Sequence, residues 1–241
     1  MSAPRLAVVL AAGRGVRLGA LGEEMPKGFL RVTDVPLIER SIDALRAAGI
    51  DRIRIVTGHL RHYYEQLAAR MGGTVTLSHN PDFATTGSLV SLLCAGPIDE
   101  PYLIVESDLL YERRAPRLLT EAPQDDLLLA SGPTGSGDEV YVGAENGRLV
   151  DLTKKLDELR GERVGELVGL TRVSPALHRE LTEQGRRLLA DTQRVEYEAA
   201  LVAASQVRPI SVLVSHDLVW TEVDDESHLA RARAQILPRL D

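Results

Sequence analysis

The segment that limits the fold most is a short apolar run, Leu6 to Ala11, followed directly by a loop with two glycines. A short β-branched run that ends at glycine predicts a buried strand. Glycines at the end of such a strand let backbone N–H groups approach an anion closely, because no Cβ stands in the way. We therefore expect a phosphate-binding loop, with backbone contacts from Leu10, Ala11, Ala12, Gly13 and Gly15.

Two cations accompany this loop. Arg17 lies inside it, and Lys27 follows a proline shortly after it. Both can neutralise phosphate groups and the charge that develops when a phosphoryl group is transferred. A P-loop is excluded, since no Gly-Lys-Ser/Thr follows the last glycine, and the dinucleotide fingerprint lacks its third glycine at Leu18. Without the two cations, the segment would read as an ordinary strand-to-loop turn.

The first half of the chain alternates between strand-like and helix-like segments. This alternation predicts an α/β fold with a parallel sheet covered on both faces, and ligands beyond the carboxyl ends of the strands. After about residue 125, short strands and turns predominate, with helices later. We expect one domain over 1–241, with a nucleotide-binding half at 1–125 and an acceptor-binding half at 126–241. The segments expected to be regular are strands at 52–57, 74–78, 102–106, 126–130, 140–143, 148–153, 167–173, 209–214 and 218–221, and helices at 36–49, 61–71, 88–95, 175–189, 194–204 and 226–237.

The charge and the apolar content of the sequence disfavour some kinds of binding partner. The net charge of −7 over 241 residues disfavours a nucleic-acid binder, which usually carries a basic stripe. No apolar run is long enough for a membrane span, and the N-terminal run leads into the glycine loop rather than into a cleavage site. The single cysteine, Cys94, fits a reducing cytoplasm. We expect a cytoplasmic protein without nucleic-acid or membrane partners, and leave open whether it forms a homodimer.

The loop resembles the signature of nucleotidyltransferases with a Rossmann-like core, the family of sugar-1-phosphate and molybdopterin-guanine type enzymes. The resemblance continues from Pro36 to His59, over the family's following helix and second strand. It implies a mixed, mostly parallel sheet sandwiched by helices, with a small β-rich acceptor-binding insertion. It also implies that Gly13, Gly15 and Arg17 bind a triphosphate, while Lys27 stabilises the pentavalent phosphorus.

Transfer of a nucleotidyl group brings two anions together, which calls for a divalent cation with oxygen ligands, usually Mg²⁺. Asp108 follows an apolar strand, where this fold places a ligand. Asp224 lies in a segment similar to the C-terminal Glu-Ile-Asp of phosphocholine and phosphonate cytidylyltransferases, whose Asp completes the metal site. We expect Asp108 and Asp224 to bind Mg²⁺; a turn cap at Asp108 and a helix cap at Asp224 are the structural alternatives. The sequence leaves two roles open for Glu106, which are support of the metal ligands and contact with a helix.

The nucleotide base is assigned from a polar loop before a helix. Asn80 and Ser88 lie in a pattern that surrounds the pyrimidine in the small-alcohol branch of the family, which implies CTP. The same residues also fit an Asx turn and a helix N-cap.

The acceptor implied by this branch is a small phosphonate or phospho-alcohol of the 2-aminoethylphosphonate or phosphocholine type. Lys154 is the candidate for its phosphate, with Lys155 as the alternative. A cationic amine requires carboxylates or aromatic faces. The candidates for it are Glu139, Tyr141, Glu196 and Glu198, with Tyr197 between the last two.

These observations predict a magnesium-dependent cytidylyltransferase that releases pyrophosphate. The rival enzyme is a sugar- or inositol-1-phosphate nucleotidyltransferase. Two alternatives lie outside the nucleotidyltransferases. One is a regulatory subunit that binds nucleotide without turnover, and the other is a dinucleotide-binding dehydrogenase.

Overall fold

The computed structural model describes residues 3–240. Its strands are β1 (Leu6–Ala11), β2 (Arg52–Thr57), β3 (Val75–His79), β4 (Tyr102–Glu106), β5 (Leu109–Tyr111), β6 (Leu127–Ser131), β7 (Tyr141–Glu145), β8 (Arg148–Thr153), β9 (Glu162–Val173), β10 (Ser211–Ser215) and β11 (Trp220–Glu222). Its α-helices are α1 (Ala20–Glu24), α2 (Leu37–Ala47), α3 (His62–Met71), α4 (Ser88–Cys94), α5 (Ala115–Thr120), α6 (Pro175–Leu188), α7 (Tyr197–Ser205) and α8 (Glu226–Arg231). Within residues 3–240, no helix is long and apolar enough to cross a membrane.

Nine strands form one mixed sheet in the order β3-β2-β1-β4-β9-β6-β10-β8-β7. The pairs among β3, β2, β1 and β4 are parallel, as is the pair of β6 and β10. Within this sheet, as far as residues 3–240 describe it, every antiparallel pair involves β7, β8 or β9, and β7 also pairs with the first half of β9. The predicted α/β class and mixed sheet are confirmed. The β-rich second part continues the main sheet.

The central strand β1 is buried on both faces, which explains its unbroken apolar sequence. Ala7 and Val9 face a core that α2, α3 and α5 complete. Val8 and Leu10 face the opposite core, against α4, α6 and α7. Burial of both faces fixes the register of β1, so that the loop after it emerges at the carboxyl edge of the sheet.

A third apolar cluster, which we call the C-terminal core, joins the start of the chain to its end. Leu18, Leu30 and Leu37 pack there with Val223 and Leu229. Beside this core, β11 pairs antiparallel with β5. The contact places the segment after β11 against the segment that carries Lys27.

The structure changes several predicted boundaries. Strand β9 begins at Glu162 rather than at residue 167, because its polar first residues pair with β7 and leave no apolar run to detect. Helix α7 begins at Tyr197 rather than at residue 194, since the backbone carbonyl of Val195 accepts from Leu89 N (3.1 Å) and is held extended beside α4. The last helix is α-helical only to Arg231 and continues as a π-turn and a 3₁₀-turn.

Candidate active site

The loop after β1 presents backbone N–H groups without acceptors. Gly15 has a φ of 64°, a left-handed conformation that favours glycine. A Cβ added at Gly13 would meet nothing within 4 Å, so the backbone there is open to a ligand. Within residues 3–240, the N–H groups of 13–17 donate to no other group, while Ala12 is fixed through its carbonyl by His59 N (3.1 Å). A run of free N–H groups on a fixed loop is suited to binding an anion.

Lys27 lies at the centre of the site, between two carboxylates. Its Nζ donates to Asp108 Oδ2 at 2.9 Å and also to Asp224 Oδ1. Burial alone would lower the pKa of Lys27, but the charges of Asp108 and Asp224 raise it far above its ordinary value. Lys27 is therefore a permanent cation at neutral pH, which suits it to charge stabilisation rather than to proton transfer.

Arg17 joins the loop to the same cluster. Its guanidinium forms ion pairs with Asp224 and with Asp138. Asp224 is completely buried and receives both cations, whereas the side chain of Arg17 is half exposed (51%). Burial would raise the pKa of Asp224, but the charge of Lys27 and the hydrogen bond from Glu222 keep it below its ordinary value. The loop and the C-terminal segment thus meet through charged contacts.

The carboxylates around Lys27 form two overlapping groups. Glu106, Asp108 and Glu222 can bring oxygens within 4.8 Å of one another, and so can Asp138, Glu222 and Asp224. Burial and the charges of Asp108 and Glu106 raise the pKa of Glu222 to about 10. Burial and the charge of Glu198 raise the pKa of Glu106 to about 8.

This crowding fits a divalent cation. Burial, followed by the charges of neighbouring carboxylates, raises the pKa values of Glu222 and Glu106, and a bound cation would favour their ionised forms. The donors are all carboxylate oxygens, the hard ligands that Mg²⁺ prefers. Asp108 and Asp224, the two predicted ligands, both lie in the cluster, and Glu222 belongs to both groups.

A cavity opens next to this cluster, towards the second half of the chain. Lys154 lies on its wall and donates to Asp138 Oδ1 at 2.7 Å. Glu139 and Glu198, two of the predicted acceptor residues, also line it. Trp220 contributes an aromatic wall, and its Nε1 donates to Ser131 Oγ at 2.7 Å. Lys155 instead pairs with Glu158 at the surface, which favours Lys154 over its neighbour.

Asn80, a predicted base-recognition residue, is fully buried with its amide occupied. Its Nδ2 donates to Thr86 Oγ1 and to Ser91 Oγ, both at 3.1 Å, and its Oδ1 accepts from Asp82 N at 3.0 Å. These contacts build the loop before α4, as in the Asx turn that the sequence also allowed. Both N–H donors of the amide are therefore used within the described part of the chain.

Ser88 and Glu196 are brought together, but away from the cavity. Glu196 Oε2 accepts from Ser88 N at 2.9 Å and from Ser88 Oγ. Ser88 Oγ in turn accepts from Tyr197 N at 2.9 Å. The two residues tie the start of α4 to the start of α7. Ser88 therefore has a structural partner where a base contact was predicted, and Glu196 has one where an amine contact was predicted.

Tyr141 is also separated from the cavity lining. The guanidinium of Arg163 lies over its ring, 4.5 Å from the centroid. That face of the ring is already occupied by a cation within the protein, and contact of Tyr141 with an acceptor amine stays a prediction.

The sequence interpretation missed Asp138 and underrated Glu106. Asp138 lies in a Gly/Ser-rich loop and pairs with Arg17 and with Lys154. Glu106 accepts from the Tyr197 hydroxyl at 2.6 Å and faces the cavity. The available signal for Asp138 was its place beside Glu139 in a loop with few other charges.

Residues 7–195 match the model of a protein family, the MobA-like NTP transferase domain. The chain belongs to this family of nucleotidyltransferases. The matched range includes the loop, Lys27, Asp108 and Lys154, while Glu198 and Asp224 lie beyond it. The family resemblance inferred from the loop is thereby confirmed.

Among curated relatives of this family member, CMP-5'-(3-aminopropyl)phosphonate synthase of Streptomyces rubellomurinus is 28% identical over 98% of the chain. The chain spans only 39% of the length of that relative. Choline-phosphate cytidylyltransferase of Streptococcus pneumoniae is 27% identical, over 66% of this chain and 72% of the relative. The 2-aminoethylphosphonate cytidylyltransferase of Lancefieldella rimae is 28% identical, over 61% of this chain and 60% of the relative.

Solved structures agree with the fold of this nucleotidyltransferase. CTP:phosphocholine cytidylyltransferase from Streptococcus pneumoniae superposes with a TM-score of 0.79 at 18% identity, over 95% of this chain and 98% of that one. Inositol-1-phosphate CTP transferase from T. maritima also gives 0.79 at 18% identity, over 98% of both chains. At these identities the likeness concerns the fold alone.

Proposed function

We propose that this chain transfers a cytidylyl group from CTP to a small phosphonate or phospho-alcohol that carries an amine, and releases pyrophosphate. The observation that carries the proposal is Lys27, whose Nζ lies between Asp108 and Asp224. This cluster separates an anion-binding loop from a cavity lined by carboxylates and Lys154. Such a layout places a triphosphate on one side of a charged centre and an acceptor on the other.

The residues on the loop side act on the triphosphate. The free N–H groups of 13–17 bind its oxygens, and Arg17 adds a charged donor. An acceptor oxygen then forms a bond to the α-phosphorus as the bond from that phosphorus to the β-phosphate oxygen breaks. The electron pair leaves with pyrophosphate. Lys27, a permanent cation, stabilises the charge on the five-coordinate phosphorus.

Asp108 and Asp224 would hold a magnesium ion, with Glu222 beside them. When bound, such an ion neutralises charge on the transferring phosphate as a Lewis acid. No side chain has to act as a general base, because the attacking oxygen of the acceptor is already ionised near neutral pH.

The nature of the acceptor is supported by two independent features. The relatives named above act, by their names, on aminophosphonates or on choline phosphate with cytidylyl transfer. The cavity is rich in carboxylates, with Lys154 as a single cation on its wall. A carboxylate-rich cavity with one lysine suits a molecule that has an anionic and a cationic end.

The test is a matrix of nucleotides and acceptors scored by pyrophosphate release. CTP, UTP and dTTP are each paired with 2-aminoethylphosphonate, phosphocholine, inositol 1-phosphate and glucose 1-phosphate, with and without a chelator. We expect turnover with CTP and an amine-bearing acceptor, and its loss on chelation. Turnover of glucose 1-phosphate with UTP or dTTP, and none with CTP, would overturn the proposal in favour of a sugar-phosphate enzyme.

A further inference from the structure

Among the described residues that line the cavity, one carries a fully buried carboxylate oxygen without a hydrogen-bond partner. Glu198 is the second residue of α7 and lines the cavity beside Glu106. Its Oε2 is closed off from solvent, and within residues 3–240 it has no hydrogen-bond partner. A buried acceptor left unsatisfied costs stability, so its persistence indicates a group that is supplied by a ligand.

The neighbouring carboxylates are already engaged. Glu106 accepts from the Tyr197 hydroxyl at 2.6 Å, and Asp138 accepts from Lys154 at 2.7 Å. Glu198 differs from these two residues in having an oxygen that is both closed off from solvent and without a hydrogen-bond partner within residues 3–240. Burial raises the pKa of Glu198 to about 7.

The walls of the cavity distinguish between two kinds of amine. A primary ammonium carries three N–H donors and needs acceptor oxygens. A trimethylammonium has no donor and is bound mainly by aromatic faces. The lining within residues 3–240 offers carboxylates from Glu106, Glu139, Glu198 and Glu222, and a single aromatic side chain, Trp220.

We propose that Glu198 binds the acceptor's primary ammonium, and that the chain therefore selects aminoalkylphosphonates over trimethylammonium acceptors. Lys154 lies on the same wall and is suited to the opposite, anionic end of such an acceptor. The inference rests on the proposed function and narrows its substrate class.

The experiment compares wild type with Glu198→Gln, and with Glu183→Gln as a matched control on the exposed surface of α6. Initial rates of pyrophosphate release are measured with CTP and three acceptors: 2-aminoethylphosphonate, phosphocholine and ethylphosphonate, which lacks the amine. Binding of each acceptor is followed independently by the fluorescence of Trp220, the single tryptophan of the chain. Thermal unfolding of each variant shows that it is folded.

For wild type we expect kcat/KM to be at least about tenfold higher for 2-aminoethylphosphonate than for phosphocholine. Glu198→Gln should raise the KM for 2-aminoethylphosphonate about 10- to 100-fold, since a charged hydrogen bond is lost. The KM for CTP and the rate with ethylphosphonate should not change, and Glu183→Gln should behave as wild type.

Two results separate this inference from the proposed function. If CTP is turned over but phosphocholine is preferred, or Glu198→Gln leaves the amine preference intact, the inference is overturned while the proposed function stands. If no acceptor is turned over, the proposed function fails, and Trp220 fluorescence decides the inference. Binding of 2-aminoethylphosphonate that depends on Glu198 supports it, and binding that is absent or insensitive to Glu198 overturns it.

Discussion

The two halves of the site are built in different ways. On the nucleotide side, the loop, Arg17 and Lys27 come from one short stretch directly after β1. On the acceptor side, Asp138, Lys154 and Glu198 come from three segments that the sheet topology brings together. The first half supplies cations and backbone donors, whereas the second supplies mainly carboxylates.

This difference has a physical origin. A triphosphate is a large uniform anion, and one loop with free N–H groups can surround it. A small acceptor with an anionic and a cationic end requires groups on opposite walls, and a single segment cannot supply both. Substitutions on the nucleotide side should therefore affect every acceptor alike, while those on the acceptor side should discriminate among acceptors.

The largest expected effect is that of Lys27→Ala on the nucleotide side. Removing the cation should lower kcat about 10²- to 10³-fold with every acceptor, as for other donors to developing charge. The measurement is steady-state pyrophosphate release, with binding of CTP determined separately. A variant that retains more than a tenth of wild-type kcat would show that Lys27 is not a transition-state group.

A smaller and more selective effect is expected for Lys154→Ala. It should raise the KM for the acceptor about tenfold and leave the KM for CTP unchanged, because one charged contact to the acceptor is lost. Lys155→Ala is the matched control, since Lys155 pairs with Glu158 at the surface. Equal effects of the two substitutions would contradict the assignment of Lys154 to the acceptor side.

Glu196→Ala tests whether Glu196 stabilises the fold rather than binds the acceptor. Its carboxylate holds the start of α4, so we expect a loss of about 1 kcal/mol of unfolding free energy, as for other helix N-caps. The KM for the acceptor should not change. Urea denaturation and steady-state kinetics on the same preparation measure both, and a rise in that KM with unaltered stability would restore Glu196 to the acceptor site.

The smallest effect concerns a buried histidine remote from both halves. Burial lowers the pKa of His178, whose Nδ1 shares a hydrogen bond with the Tyr102 hydroxyl at 2.9 Å. The folded state therefore binds a proton less readily than the unfolded state. Stability is full above the unfolded pKa of about 6.5 and falls as the pH drops below it, by at most about 1.4 kcal/mol per pH unit.

Urea unfolding between pH 7.5 and 5.5 measures this dependence. His178→Gln should flatten it, because glutamine does not titrate while it can still bond to Tyr102. The same slope in both proteins would assign the acid sensitivity to other groups.

The sequence predicted strand β1 and the groups of the reaction centre better than the short strands that depend on tertiary pairing. The unbroken apolar run of β1 is typical of a strand buried on both faces, and it forms one. Lys27 and Asp224 were both expected at the reaction centre. Strand β5 was not foreseen, because three residues carry no readable period and its pairing with β11 is decided by tertiary contact.

Polar residues before a helix proved ambiguous. Recognition of a base and stabilisation of a turn call for the same kinds of residue, because both use the same donors and acceptors. The residue types of Asn80 and Ser88 therefore do not distinguish the two tasks. In the structure Asn80 bonds to Ser91 and Ser88 bonds to Glu196, so both hold local structure, and base recognition by either residue stays a prediction. Asp138 was missed for the related reason that its partner, Arg17, lies 121 positions away.

The C-terminal core gives the reaction centre a particular order of assembly. Lys27 and Asp224 are 197 positions apart, and the apolar contact that joins their segments includes Val223 and Leu229. A growing polypeptide on the ribosome therefore carries the complete triphosphate loop long before it has an active centre. Until the last segment docks on Leu18 and Leu30, the newly made chain lacks the contact between Lys27 and Asp224.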